Sequence, residues 1–506
     1  MKSPSASSLG AGRGVVIGQM LRESLMLAVA GGVAGLALAY GALNGLVALA
    51  PVNTPRLDQV SLDWHVAGVA LALSMATGVL FGLAPAWYCS RIDVNAMLKE
   101  GARGLSPRSR LRGVLVVTQI AFALVLLVGA GLLIRSFYEV LHVDAGFRPD
   151  HVMTMRVAPA LVKYRGHPEL QWQFARVVLG KVGALPGVRT AAVATDVPLL
   201  GSPIYIMRFE GRAPVAPSQA PLAAYCAVSP EYFEAMGMRL IRGRGLTGRD
   251  TDGAPLAVVV NQTLVDRYFP NQDPIGKRLE IGFSTPPRWR EIVGVVTDVR
   301  SAGLDQDTPV QVFGAYFQMP SFPSGAVSAL TVLARTSQDP AAMGTSMRAA
   351  ILDVDRAQPV YAMQPMTEVV SKSIAQRRVA LTLLAFFAAT ALLLAAIGVY
   401  GVMSFAVSQS TNEIGIPMAL GARAGQVALE VQRRGMALVV AGLALGVMAA
   451  LPLTQYLGTM LFRVSPRDPA IFAVAAGTLV VVSLAACYLP ARRASRIDPA
   501  IALRNE

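Results

Sequence analysis

At 506 residues and 53.3 kDa, the chain is 54% hydrophobic and only 15% charged, with a mean hydropathy of +0.49. Soluble domains carry about 25% charged residues. This balance therefore excludes a soluble enzyme, a disordered chain and a small disulfide scaffold, and fits a membrane protein.

Six apolar runs follow in chain order: Leu25–Ala50, Val66–Tyr88, Gly113–Ile134, Val379–Val407, Gly435–Phe462 and Ala470–Pro490. None contains Asp, Glu, Lys or Arg, and each exceeds the ~20 residues that a bilayer crossing needs. The first run starts late, beside Arg22-Glu23, and is too long for the apolar part of a signal peptide. Six transmembrane helices are predicted, and Pro452 makes the ends of the fifth the hardest to place.

Between the third and fourth runs lies a polar stretch, residues 138–375. Its strand-like runs Leu256–Val260, Glu291–Val296 and Ala329–Ala334 alternate with helical patterns at Pro168–Val182 and Pro340–Leu352. It predicts a folded α+β domain, or two, large enough for a core of its own.

Charge sets the orientation. Residues 138–375 carry 23 Lys and Arg against 21 Asp and Glu and are nearly neutral, so +12 of the net +14 lies beside the membrane runs. With a cytoplasmic N-terminus, the inner segments 1–24, 89–112, 408–434 and 491–506 hold 16 Lys and Arg, and the outer flanks hold 6. Arg91, Lys99, Arg103, Arg108, Arg110 and Arg112 are the strongest inward signal. Both termini are then cytoplasmic and 138–375 lies outside the cytoplasm. Topology and anionic lipid account for a pI near 10.0, and nucleic acid is not expected as a partner.

The chain repeats itself. Leu83-Ala84-Pro85-Ala86 and Ser90-Arg91-Ile92-Asp93 recur as Tyr488-Leu489-Pro490-Ala491 and Ser495-Arg496-Ile497-Asp498, 405 residues later. Asp63 maps onto Asp468 at the same offset, and Leu9-Gly10-Ala11 onto Leu420-Gly421-Ala422. Residues 1–110 thus read as the closing two-helix hairpin of a first, truncated copy. The second copy comprises the helix 111–137, the domain 138–375 and a three-helix segment 376–506.

Three groups of residues carry a family resemblance. The first is Gln376-Arg377-Arg378, the span ending Ala396–Ser404, and Glu413-Ile414-Gly415-Ile416-Pro417-Met418-Ala419-Leu420-Gly421-Ala422. The second is Val228–Phe233 with Gly237. The third is Asp273–Arg278 with Val293–Arg300. Together they resemble the MacB/FtsX-type permeases of ABC transporters, and the repeat resembles their subgroup of duplicated orphan permeases. The resemblance implies a MacB-like periplasmic core domain of two subdomains, with residues 216–325 inserted between 145–215 and 326–375. It implies a bacterial inner-membrane location and a separate cytoplasmic ABC ATPase as partner. ATP-driven motion would pass through the helices to the periplasmic domain, for export or efflux. The alternative is an FtsX-like scaffold that regulates a periplasmic protein without transport. A periplasmic adaptor or a second permease half are further partners it allows.

In such permeases the ATPase touches a short helix around the Glu-Ile-Gly motif. The resemblance places it at Glu413, Ile414, Gly415, Ile416, Pro417, Leu420, Gly421 and Ala422, with Leu9, Gly10 and Ala11 as the first copy's remnant. Pro417 departs from the family's usual Arg at that position; proline removes an amide donor and fixes φ.

No catalytic, cofactor or metal site is expected. Gly243–Gly248 satisfies G-x-G-x-x-G but precedes a strand, so it reads as a turn. Gly276-Lys277 lacks the other Walker A residues, so ATP hydrolysis is expected from a partner. His65, His142, His151 and His167 lack ligand spacing. Asp305/Asp307 and Asp353/Asp355 read as solvated turns, and Cys89, Cys226 and Cys487 as inert thiols. Within the spans, Asn44, Gln119 and Thr390 are expected to hydrogen-bond between helices, and Gly31, Gly32, Gly35, Gly129 and Gly131 to form close-packing faces.

Overall fold

The computed structural model describes residues 13–49, 63–90, 107–158, 161–164, 167–213, 216–282, 287–319, 330–409 and 424–494. In chain order the first helices are α1 (Arg13–Leu49), α2 (Trp64–Ser90) and α3 (Pro107–Leu141). The inserted domain adds α4 (Pro168–Gly183), α5 (Tyr232–Met236), α6 (Gln262–Tyr268), α7 (Pro340–Val354) and α8 (Met366–Ser373). The chain returns through α9 (Ala375–Gln409), α10 (Ala424–Tyr456) and α11 (Pro469–Ala494). Two compact units result, one of Met1–Phe137 with Arg377–Glu506, the other of Tyr138–Gln376.

Among the described residues of the first unit, five stretches are long and apolar enough to cross a membrane: Leu21–Gly45, Gly113–Leu141, Arg377–Phe405, Gln432–Tyr456 and Pro469–Tyr488. The second expected run lies in α2, whose apolar stretch Trp64–Val79 is shorter. The fifth expected run overshoots. α10 ends at Tyr456, a 3₁₀ turn covers Leu457–Met460, and Phe462 lies beyond both. Hydropathy measures composition, and here apolar residues continue past the point where the backbone leaves the helix. Pro452 is accommodated inside α10.

One core joins α3, α9, α10 and α11. Ile120, Leu124, Val128 and Leu132 recur every fourth residue along α3 and form its buried stripe. Val399, Met403, Val439, Leu479 and Cys487 meet it from the other three helices. Among the described residues, neither α1 nor α2 contributes to this core. Those two pack on each other: Ser74 Oγ donates to Ala28 O at 2.7 Å, beside Gly32.

Among its described residues, the inserted domain has eleven strands in one sheet: β1 (Val152–Val157), β2 (Val188–Ala194), β3 (Ile204–Phe209), β4 (Leu222–Val228), β5 (Leu240–Gly243), β6 (Ala257–Asn261), β7 (Arg278–Ile281), β8 (Arg290–Val296), β9 (Gln311–Ala315), β10 (Leu330–Thr336) and β11 (Val360–Pro365). Strands β11-β1-β10-β2 form an antiparallel half. The pairings β4–β3, β3–β7, β7–β8, β8–β6, β6–β9 and β9–β4 close a ring of six, with β5 attached to β8.

Strand alternation sorts the domain's two cores by sheet face. Met153, Met155, Val193, Val332 and Ala334 face Phe174, Val178 and Val182 of α4 and Met343, Met347 and Ile351 of α7. Their neighbours Val152, Ala192, Ala194 and Leu333 face Tyr232 and Met236 of α5 and Met366 and Val369 of α8. Residues 216–325 supply five strands of the ring. The sixth is β3, which pairs with β4 through Ile204–Ile206 and with β7 through Met207–Phe209, so the ring begins ahead of residue 216.

Local chemistry sets the helix starts. Asp339 accepts from Ala341 N at 3.0 Å ahead of Pro340, and Asn261 accepts from Leu264 N at 3.2 Å to start α6. The G-x-G-x-x-G segment is the turn after β5. Asp250 closes it by accepting from Thr247 N at 2.7 Å and from both Arg244 Nη atoms, at 2.8 and 2.9 Å.

Candidate functional site

The expected ATPase-coupling residues Glu413, Ile414, Gly415, Ile416, Pro417, Leu420, Gly421 and Ala422 lie outside the described residues, as do Leu9, Gly10 and Ala11. What the structure does show is the bundle that flanks the first set: α9 ends at Gln409, and α10 begins at Ala424.

Glycines hold that bundle together. A Cβ on Gly442 would fall 2.7 Å from Ile120 Cβ and 3.0 Å from the Val117 carbonyl. One on Gly446 would fall 2.9 Å from Leu124 Cδ2 and 3.1 Å from Ala121 Cα. This four-residue spacing lets α10 approach the α3 backbone, the way small residues bring membrane helices together. Gly435 does the same against Cys487 and Met403. Of the glycines expected to pack closely, Gly32 and Gly131 do, against Ser74 and Ile471, whereas Gly31 and Gly35 face open space. Gly442 and Gly446 were missed, though their G-x-x-x-G spacing was readable.

Gln119 of α3 meets Gly398 of α9. Its Oε1 is buried without a hydrogen-bond partner among the described residues, as is Ser404 Oγ on α9. Beside it runs an open groove of about 380 Å³, floored by Gly398 and Gly401 and walled by Leu115, Val402 and Phe405. Among the described residues, the expected interhelical bond is therefore not made by this amide oxygen, and Thr390 Oγ1 donates within its own helix, to Phe386 O at 2.9 Å.

Further along α3, Ser136 is 1% exposed and accepts from Phe462 N at 2.8 Å, which ties α3 to the link between α10 and α11. Next to it, Arg135 pairs with Asp468. Asp468 also accepts from Ala470 N at 3.0 Å, capping α11.

In the inserted domain the resemblance motifs serve as scaffold. Ser229 Oγ accepts from Val193 N, Tyr232 and Phe233 enter the core, and Gly237 takes φ +67° where α5 ends. Asp298 Oδ1 accepts from Asn261 Nδ2 and Thr263 N, each at 2.8 Å, which secures the start of α6. Gly276, at φ +79°, turns the chain into β7.

Two families of known proteins match these parts. The MacB-like periplasmic core domain matches residues 114–350, and the FtsX-like permease C-terminal domain matches residues 385–499. The chain belongs to the MacB/FtsX-type permease family. It is 28% identical over 292 residues to the macrolide export ATP-binding/permease protein MacB of Rhodospirillum rubrum, covering 55% of this chain and 42% of that protein. MacB of Acinetobacter baylyi is 26% identical over 292 residues, with the same coverages. The chain thus spans less than half the length of these curated relatives. The crystal structure of the periplasmic region of MacB from Actinobacillus actinomycetemcomitans aligns at 15% identity and a TM-score of 0.32, covering 46% of this chain and 96% of that one. The extracellular domain of the noncanonic ABC-type transporter YknZ aligns at 14% identity and a TM-score of 0.28, covering 42% and 99%. The core-domain match begins within α3, and the permease-domain match begins within α9.

Proposed function

We propose that this chain is the permease part of an ABC-type exporter, transmitting ATP-driven motion from a separate cytoplasmic ATPase to its periplasmic domain. The observation that carries this reading is the place of the MacB-like core domain. The compact unit Tyr138–Gln376 follows the long apolar helix α3 in the chain and runs into the long apolar helix α9. A rigid-body shift of packed helices is a known means of carrying such motion.

On this reading six helices cross the inner membrane, with α2 as the sixth, both termini are cytoplasmic, and residues 138–375 are periplasmic, in accord with the positive-inside rule. The ATPase contacts the segment from Glu413 to Ala422. The chain itself hydrolyses nothing. Gln119 and the groove over Gly398 face a second permease half.

The test is purification of the C-terminally tagged chain from native membranes, with mass spectrometry of everything retained. An ABC ATPase in the eluate supports the reading. A periplasmic hydrolase retained with it would move the reading to regulation. The chain recovered with neither would contradict it.

A further inference from the structure

The antiparallel half of the domain and its strand ring meet at one narrow seam. Ala194 of β2 and Val228 of β4 are their single register pair. Two side chains extend the ladder: Thr195 Oγ1 accepts from Ala227 N at 3.1 Å, and Ser229 Oγ accepts from Val193 N at 3.2 Å. Asp196 follows directly. Its side chain is 13% exposed, and among the described residues its one charged neighbour is Arg156, whose Nη2 stands 3.6 Å away, beyond hydrogen-bond length.

Asp196 shares a small cavity with Cys226 of β4 and Gln311 of β9. Gln311 is 4% exposed, and its Oε1 has no hydrogen-bond partner among the described residues. Among the described residues, Arg156 Nε and Thr331 Oγ1 are also buried without one. The register sets them in a row, Arg156 opposite Thr331 and Thr331 opposite Ala194. A buried acceptor left unmatched is costly, and so is a desolvated carboxylate. One added proton would relieve both.

We propose that Asp196 is a proton-binding site that controls this seam. The neutral acid donates its O–H to Gln311 Oε1 and ties the ring's β9 to the end of β2. The carboxylate gives up that bond and turns toward Arg156.

The groups that face Asp196 are Arg156 from β1, Tyr205 from β3, Cys226 from β4 and Tyr232 from α5. Burial pushes both phenols up and the thiol to about 11, so near neutral pH only Arg156 carries charge. Burial likewise pushes Asp196 up to about 6, and Arg156 offsets part of that rise. A carboxyl raised above its unfolded value stabilises the fold at low pH, and this contribution is lost as pH rises through about 6. The seam is thus tighter in acid.

The experiment is hydrogen exchange on the full chain in detergent micelles, read by mass spectrometry on peptides spanning 188–200 and 222–230. Corrected for intrinsic exchange, protection at pH ~5 should exceed that at pH ~7.5 by about tenfold. Asp196→Asn should hold the acid level of protection at both. Gln311→Leu should lower the midpoint, and Arg156→Gln should raise it; these two carry the test if Asp196→Asn fails to fold. A flat wild-type profile, or Asp196→Asn tracking the wild type, overturns the proposal. So does a midpoint raised by Gln311→Leu, since the amide would then be donating to the carboxylate.

Discussion

Gln119 Oε1 on α3 lies where a Cβ on Gly398 of α9 would fall 2.2 Å away, and it has no hydrogen-bond partner among the described residues. A buried amide acceptor left unpaired costs about 1–3 kcal/mol. Gln119→Leu should therefore leave the thermal stability of the purified chain unchanged or raised. If the amide bonds a second permease half, the same variant should reduce recovery of that partner from native membranes. Lower stability with full partner recovery would contradict this account.

Glycine substitutions should rank by what they meet. At Gly398 the obstacle is the free end of a flexible side chain beside an open groove, so Gly398→Ala should cost less than about 1 kcal/mol. At Gly442 the obstacles are Ile120 Cβ and a backbone carbonyl, so Gly442→Ala should cost about 1–3 kcal/mol. Thermal unfolding of both variants in detergent checks the order.

Asp468 both pairs with Arg135 and caps α11. Arg135→Ala removes a half-exposed ion pair worth at most about 1 kcal/mol. Asp468→Ala removes the cap as well, which adds ~1 kcal/mol. The aspartate variant should melt lower in unfolding measurements; equal melting would mean that the cap contributes nothing.

Asp355 supplies a pH dependence of the opposite sign to Asp196. It accepts from Lys163 Nζ at 2.6 Å, Gln358 Nε2 at 2.9 Å and Ala357 N at 3.0 Å, and these bonds hold its carboxyl well below the usual range. A depressed carboxyl stabilises the fold above its unfolded value of about 3.9, and this is lost as pH falls toward the folded one. Asp355→Asn should flatten the acid limb of a stability-against-pH curve and lower the plateau at neutral pH.

Much of this architecture was legible in the sequence, because apolar runs and strand alternation are local. Pro168 and Pro340 open α4 and α7 where expected, and the strands around Val258, Val293 and Leu333 form as read. Closure of the ring was not legible, since pairing Tyr225 with Val312 in parallel joins segments far apart in the chain. Nor was it legible that β3, ahead of residue 216, pairs with β4 and β7 and joins the ring. The end of α10 was hidden by apolar residues beyond Tyr456, among them Phe462, whose amide bonds Ser136. Gln119 stood out as an amide in an apolar run, yet only packing shows that Gly398 lies beneath it and that its oxygen is unpaired. Asp196 drew no notice, because a lone Asp in a polar segment reads as solvated until the fold buries it.

The central claim is that nucleotide at a cytoplasmic partner moves the periplasmic domain. Hydrogen exchange on the chain purified with its ATPase, with and without ATP, tests this most directly. The account predicts changed protection in peptides from residues 138–376 on nucleotide binding, abolished when Glu413 and Ile416 are replaced by Lys. An intact complex whose domain peptides exchange identically with and without ATP would contradict it.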